Sequence, residues 1–231
     1  MAELFIADGL FWLPATLGIY WLACMLYRRT GKLSLVNPTL ISILTIGGLL
    51  LVTAIPYSNY FASVSILHHL LGTAVVALAI PLHRNLKQLR GDGRSLGAAL
   101  ITGSSISVVL GVTVAEALNA APSIALSLAP KSATAAVSME IARGIGGLPA
   151  ITACLTIATG ITGAMLGPII LSALGVIRPD ARGVALGTVS HGIATARAFS
   201  ENELAGCWAT LAMCLNAILT AILVPVFVAV F

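Results

Sequence analysis

Two short clusters hold most of the residues in this chain that could do chemistry. The first is Pro130-Lys131-Ser132-Ala133-Thr134, and the second is Gly187-Thr188-Val189-Ser190-His191-Gly192, followed by Thr195-Ala196-Arg197. Pro130 removes a backbone donor and breaks any helix that reaches it, so the spacing predicts a helix beginning at Pro130. Such a helix aims its free N–H groups and its positive end at the place where the Lys131 ammonium sits. Ser132 lies beside that ammonium and Thr134 on a neighbouring helical face, which together make an anion pocket suited to a carboxylate. The other reading of Lys131 is a loop lysine that reaches water along its own stem. In the second cluster Thr188, His191 and Thr195 fall on one helical face. Gly187 and Gly192 permit an unwound stretch or a close helix contact. His191 is then either a residue that bonds a solute or titrates during transport, or a buried histidine with its own internal partner.

The remaining polar residues have plainer readings. Glu140 and Arg143 stand three apart and suit an ion pair, and with Arg197 they are the candidates for gating. Asn37-Pro38 reads as a helix start. Asn216, alone in a long apolar run, is placed to bridge helices. No enzyme is expected: there is no H-E-x-x-H, no G-x-S-x-G, and no glycine-rich phosphate loop. Ser190 and His191 are adjacent, about 100° apart on a helix, which is poor geometry for a nucleophile and its base. The four cysteines, Cys24, Cys154, Cys207 and Cys214, all sit in apolar segments without metal-ligand spacing, so they read as small hydrophobes. No metal or other cofactor is expected.

The elements that must position these clusters lie in lipid. Of 231 residues 58% are apolar and 9% charged, against about 25% charged in a soluble domain. The mean hydropathy is +1.03. Charge-free runs are long enough for membrane helices, which need roughly 20 apolar residues. The chain therefore reads as an all-α integral membrane protein, a polytopic helix bundle forming one transmembrane domain over residues 1–231. Spans are expected over 10–27, 36–55, 64–82, 95–118, 148–175 and 204–230, with Tyr57–Phe61 as a loop. Two further elements are discontinuous: 123–143, broken or re-entrant, and 183–199, irregular. Basic residues flank the second and third spans: Arg28, Arg29 and Lys32 before them, Arg84, Lys87, Arg90 and Arg94 after. That places both loops in the cytoplasm and the N-terminus outside. If 123–143 crosses, Arg178 and Arg182 fall outside; if it is re-entrant they fall inside, which the charge rule favours. Glu3 and Asp8 precede any basic residue, so the first helix reads as retained rather than as a secretory signal. The net charge of +4 lies in these short loops and reports orientation, not nucleic-acid binding.

The two clusters, with Gly146-Gly147-Leu148-Pro149-Ala150, Asn37-Pro38 and the run Val75-Val76-Ala77-Leu78-Ala79-Ile80-Pro81-Leu82, resemble the signatures of the LrgB/CidB family. The likeness covers nearly the whole chain, although the prolines common in relatives near Thr73 and Ala136 are absent. It implies a multi-pass protein of the bacterial inner (cytoplasmic) membrane. The family is linked to murein hydrolase export and cell lysis, to a small holin-like LrgA/CidA subunit, and to movement of pyruvate-like acids. It is also similar to the C-terminal half of the chloroplast glycolate/glycerate translocator. The main expectation is a secondary transporter of small 2-hydroxy or 2-oxo monocarboxylates working by alternating access. Lys131 holds the carboxylate in that scheme, Ser132, Thr134, Ser190 and Thr195 bond the hydroxyl or keto oxygen, and H+ or Na+ serves as coupling ion. Pro130, Gly187, Gly192, Asn37 and Pro38 shape the helix breaks. The alternative is a holin-associated membrane component, with pore formation open to it, that modulates murein hydrolase activity and lysis. Partnership with the small subunit and self-association are both open.

Overall fold

The computed structural model describes residues 11–31, 33, 36–77, 79–84 and 93–230, and among them there are helices and no strands. Glu3, Asp8, Leu10, Lys32, Leu78, Lys87 and Arg90 lie outside the described residues. Among the described residues three helices are long and apolar enough to cross a membrane: Gly93–Ala117, Pro149–Ala173 and Glu203–Ala229. The chain is thus a helical membrane protein. It divides into two compact units, Met1–Ile80 and Pro81–Phe231.

The first unit holds α1 (Trp12–Arg29), α2 (Pro38–Thr53) and α3 (Tyr57–Ala77). Arg28 and Arg29 occupy the last turn of α1, where the helix dipole favours cations. Asn37-Pro38 starts α2 as expected. The Asn37 side chain accepts from the N–H groups of Thr39 (2.9 Å) and Leu40 (3.2 Å), while Pro38 takes a first-turn place that needs no N–H. Tyr57–Phe61, expected as a loop, is instead the first turn of α3. The Pro56 carbonyl accepts from Asn59 N–H at 3.0 Å, and left-handed Ala54 (φ 52°) compresses the turn before it. Proline ends the helix behind it without hindering the one ahead. Trp12 is buried edge-on against the ring of Tyr60, centroids 5.4 Å apart, and so holds α1 to α3. The third expected span, 64–82, is α3 followed by α4 (Ala79–Arg84).

The second unit is built from α5 (Gly93–Ala117), α6 (Pro122–Leu128), α7 (Ala135–Ile145), α8 (Pro149–Ala173), α9 (Pro179–Glu201) and α10 (Glu203–Val230). At 1.5 Å per residue α6 and α7 are roughly 10 and 16 Å long, each too short for a hydrocarbon core of about 30 Å. α6 runs back along α5, so that the Leu128 carbonyl and Lys131 side chain lie against Gly111, and Lys131 reaches Ser107. The chain then returns: Leu148 N–H donates to the Ser127 hydroxyl at 2.8 Å. The chain thus folds back on itself between α6 and α8, as the broken form expected for 123–143 does. The helix expected at Pro130 begins only at Ala135. Residues 129–134 form a turn in which Lys131 N–H bonds Leu128 O (3.2 Å) and Ala133 N–H bonds Pro130 O (3.0 Å). The Ser138 hydroxyl also holds the Pro130 carbonyl, at 2.7 Å.

The element expected as an irregular span over 183–199 is a second helical hairpin. α9 begins earlier, at Pro179, with Asp180 in its first turn where acids are favoured. Asp180 and Arg182 are therefore helical. At Ser190 (φ −134°, ψ 20°) and His191 (φ 41°, ψ −136°) the helix breaks and reverses. The Arg182 guanidinium consequently meets Glu201 at 3.1 Å, whereas a straight helix would hold the two about 28 Å apart. Arg182 also donates to the carbonyls of Pro168 (3.4 Å) and Val176 (3.0 Å), fastening the hairpin to the end of α8.

Small residues let the hairpin pack this closely. A Cβ at Gly183 or Gly187 would strike the backbone of Ala205 or Ala209 on α10, and one at Gly163 on α8 would strike the Ser190 side chain. The core around them is Leu186 with Ala164, Ala194, Ala198, Ala205 and Ala209, and the alanines are the short side chains that membrane helices use for close approach.

Candidate functional site

The two hairpin tips meet at Asn216. This residue lies midway along α10 and is 1% exposed. Its side-chain N–H2 donates to the Ser132 carbonyl in the first tip (2.9 Å) and to the Thr188 carbonyl just before the second reversal (3.0 Å). Its Oδ1 accepts a short bond from the Ser104 hydroxyl of α5 and a longer one from Thr220 (3.5 Å). One amide therefore joins both tips to α5 and to its own helix. A backbone carbonyl at a helix break has lost its usual partner, and in an apolar setting it must find another. Asn216 supplies that partner twice.

Lys131 does not point at a helix N-terminus. Its ammonium donates to the Ser107 carbonyl (2.5 Å) and lies 3.3 Å from the Ser107 hydroxyl. Ser107 is ten residues before the end of α5, about 15 Å into the membrane element. Gly111 makes the approach possible, since a Cβ there would sit 2.7 Å from Nζ. No carboxylate among the described residues pairs with Lys131, an arrangement that is expensive at membrane depth.

Around the tips three hydroxyls are buried without a partner among the described residues: Ser132, Thr156 and Ser190. Each such orphan costs about 1–3 kcal/mol. His191 is buried, and its Nε2 lies 2.9 Å from the Thr156 carbonyl, so that nitrogen carries the proton and donates. Gly160 clears space for the ring. Thr195, expected to bond a solute, gives its hydroxyl to the His191 carbonyl at 2.7 Å, and Thr188 gives its own to Val184, also at 2.7 Å. Thr134 is the extended residue before α7, and its side chain caps nothing. Gly187 is a contact point with α10, whereas the nearest atom to a Cβ at Gly192 is Met213 Sδ at 4.0 Å.

The charged candidates stand away from the tips. Glu140 and Arg143 form an exposed ion pair at 2.7 Å. Arg197 pairs with Glu201 at 3.4 Å, so that Glu201 ties together the two arms of the second hairpin through Arg182 and Arg197. Two grooves reach the second tip from either side of Val189. One, of ≈ 600 Å³, has Gly103, Thr188 and Trp208 in its lining, with Arg178 and Asp180 also on its wall; the other, of ≈ 480 Å³, has Thr159, Gly163 and Ser190. Sequence reasoning missed Ser104, Ser107, Thr156 and Glu201. For the two serines the available signal was their place at the middle of an otherwise apolar span.

Two helical hairpins joined at a buried polar point give this helical membrane protein an interior cluster of polar groups. The chain belongs to the LrgB-like family, whose model matches residues 16–230. It is similar to the holin-like protein CidB of Staphylococcus epidermidis, 32% identical over 85% of this chain and 86% of that protein. It is also similar to the holin-like protein CidB of Staphylococcus aureus, 30% identical over 94% of each. A third relative is the uncharacterized protein YwbG of Bacillus subtilis, 31% identical over 94% of this chain and 96% of that one. No solved structure matches the chain.

Proposed function

We propose that this chain is a holin-like component of the bacterial inner membrane that modulates murein hydrolase activity and cell lysis, without catalysis of its own. The observation that carries this reading is its likeness, over nearly full length, to proteins named holin-like. In this reading the N-terminus is outside, the basic residues near Arg28 and Arg84 are cytoplasmic, and the chain works beside a small holin-like subunit. Producing it with that subunit should change the rate of detergent-induced autolysis of host cells. An autolysis rate indifferent to the pair would remove the reading.

A second reading is favoured by one feature that a passive scaffold does not need: two re-entrant tips meeting over orphaned hydroxyls beside an unpaired lysine. Broken helices of this kind bind solutes at the midplane of carriers. The solute is a small 2-hydroxy or 2-oxo monocarboxylate, exchanged by alternating access. Lys131 leaves the Ser107 carbonyl to take the carboxylate, and the hydroxyls of Ser132 and Ser190 bond the second oxygen function. Thr134, Thr195 and His191 are the further candidates on this path, and H+ or Na+ is the coupling ion. Counterflow of labelled glycolate, glycerate and pyruvate into proteoliposomes, beside a trapped neutral dye, separates the readings. Saturable exchange with the dye retained supports the carrier, and dye release without exchange supports a lytic pore.

A further inference from the structure

We propose that the point where the two hairpin tips meet is a site for a sodium-sized monovalent cation, built from neutral oxygens around Asn216. The proposal deepens the second reading, in which Na+ is one of the two coupling ions, and it stands whether or not a carboxylate crosses at this place.

The carbonyls of Ser132 and Thr188 converge on a single atom, Asn216 Nδ2, at 2.9 and 3.0 Å. Both belong to helix interruptions, and the helical partner of the Thr188 carbonyl would lie beyond the reversal at Ser190 and His191. Two unwound carbonyls aimed at one buried point are ligands for a cation as readily as for an amide. Asn216 can serve both states. A half turn of its terminal amide brings Oδ1 to the two carbonyls and Nδ2 to the hydroxyls of Ser104 and Thr220. Those hydroxyls donate and accept equally, so they lose nothing by the exchange. On the other side three oxygens then face one another, an arrangement that repels unless a cation lies among them.

A separate observation points to the missing ligand. Ser132, whose carbonyl already faces the point, has a hydroxyl that is buried and without a partner among the described residues. In the proposed site it is the fourth oxygen. The Lys131 ammonium does not occupy the position, because Ser107 holds it on α5. The set contains no carboxylate, which argues against calcium and magnesium, since both rely on charged oxygen ligands or retained water. It suits a hard ion of single charge.

The test is thermal unfolding of the purified full-length chain in detergent, without carboxylic acids, in sodium, potassium or choline chloride at equal ionic strength. Sodium at about ten times its dissociation constant should raise Tm by roughly 3–6 °C, with a smaller rise in potassium and none in choline. Ser132→Ala removes a hydroxyl that has no bond to lose. Losing an orphan, it should melt at or above the wild type in choline chloride and lose most of the sodium-dependent rise. An equal rise in potassium or choline, or a full sodium rise in Ser132→Ala, overturns the proposal. No solute moves in this experiment, so its failure removes sodium from this point and leaves the lytic and carboxylate readings untouched.

Discussion

Replacing Asn216 by Leu keeps the size of the side chain and removes every bond that joins the two tips. The structure allows the cost to be worked out. Ser104 and Thr220 can turn their hydroxyls to carbonyls in their own helices, so they count for little. The carbonyls of Ser132 and Thr188 lie off regular helix and are left unpaired. At about 1–3 kcal/mol for each orphaned group the loss is roughly 2–6 kcal/mol. Interhelical hydrogen bonds measured in a membrane protein average nearer 0.6 kcal/mol, which places the expectation at the lower end, about 2–4 kcal/mol. For a chain of this length that lowers Tm by roughly 5–15 °C. Asn216→Asp gives the same shape with acceptors only and should also be destabilised. The assay is thermal unfolding of purified protein in one detergent, with retention on a sizing column as the check of fold. An Asn216→Leu protein that melts within about 1 °C of the wild type would refute the reasoning, because the amide could not then be what joins the tips.

Other expectations follow from the same contacts. Gly163→Val drives a side chain into Ser190 and should cost about 1–3 kcal/mol as overpacking, whereas Gly192→Ala meets only Met213 Sδ at 4.0 Å, an ordinary contact, and should melt like the wild type. His191 has a backbone that an L-residue adopts at a cost of about 1–3 kcal/mol. His191→Gly should therefore be more stable than His191→Ala, by roughly 1 kcal/mol or more, although both lose the bond to Thr156; equal melting temperatures would show that the reversal is unstrained. Glu201→Gln breaks the links to Arg182 and Arg197. It should open the second hairpin to limited proteolysis at 179–201 with α5 unaffected, and protease resistance equal to the wild type would mean the pairs are ornamental.

What was legible in the sequence was local. Charge-free runs gave the long helices, Asn37-Pro38 gave a cap, and Pro130 gave a break, because each signal acts within a few residues. The reversal of α9 was not legible. His191 is not a residue that turns usually employ at positive φ, and the cause of the fold-back is distant: glycines on α8 and α10 and an ion pair between Arg182 and Glu201. The direction of Lys131 was hidden for a similar reason. It is set by Ser107 and Gly111 on α5, more than a turn and a loop away in sequence. Asn216 could be suspected of bridging helices, but the two carbonyls it serves exist only once both hairpins have formed. Of the residues expected in the pocket, Ser132, Ser190 and His191 are buried at the tips, and the Thr195 hydroxyl is engaged by the His191 carbonyl.

The most direct test of the account is the sidedness of the two hairpins. Single cysteines at Asn119 and Arg143 flank the first hairpin, and single cysteines at Arg178 and Asn202 flank the second, in a chain whose own Cys24, Cys154, Cys207 and Cys214 have been replaced. An impermeant maleimide applied to oriented membranes should label 119 and 143 from one side, and 178 and 202 from the other. Labelling of either pair from opposite sides would mean that its element crosses the membrane, and the meeting of two re-entrant tips at Asn216 would be contradicted.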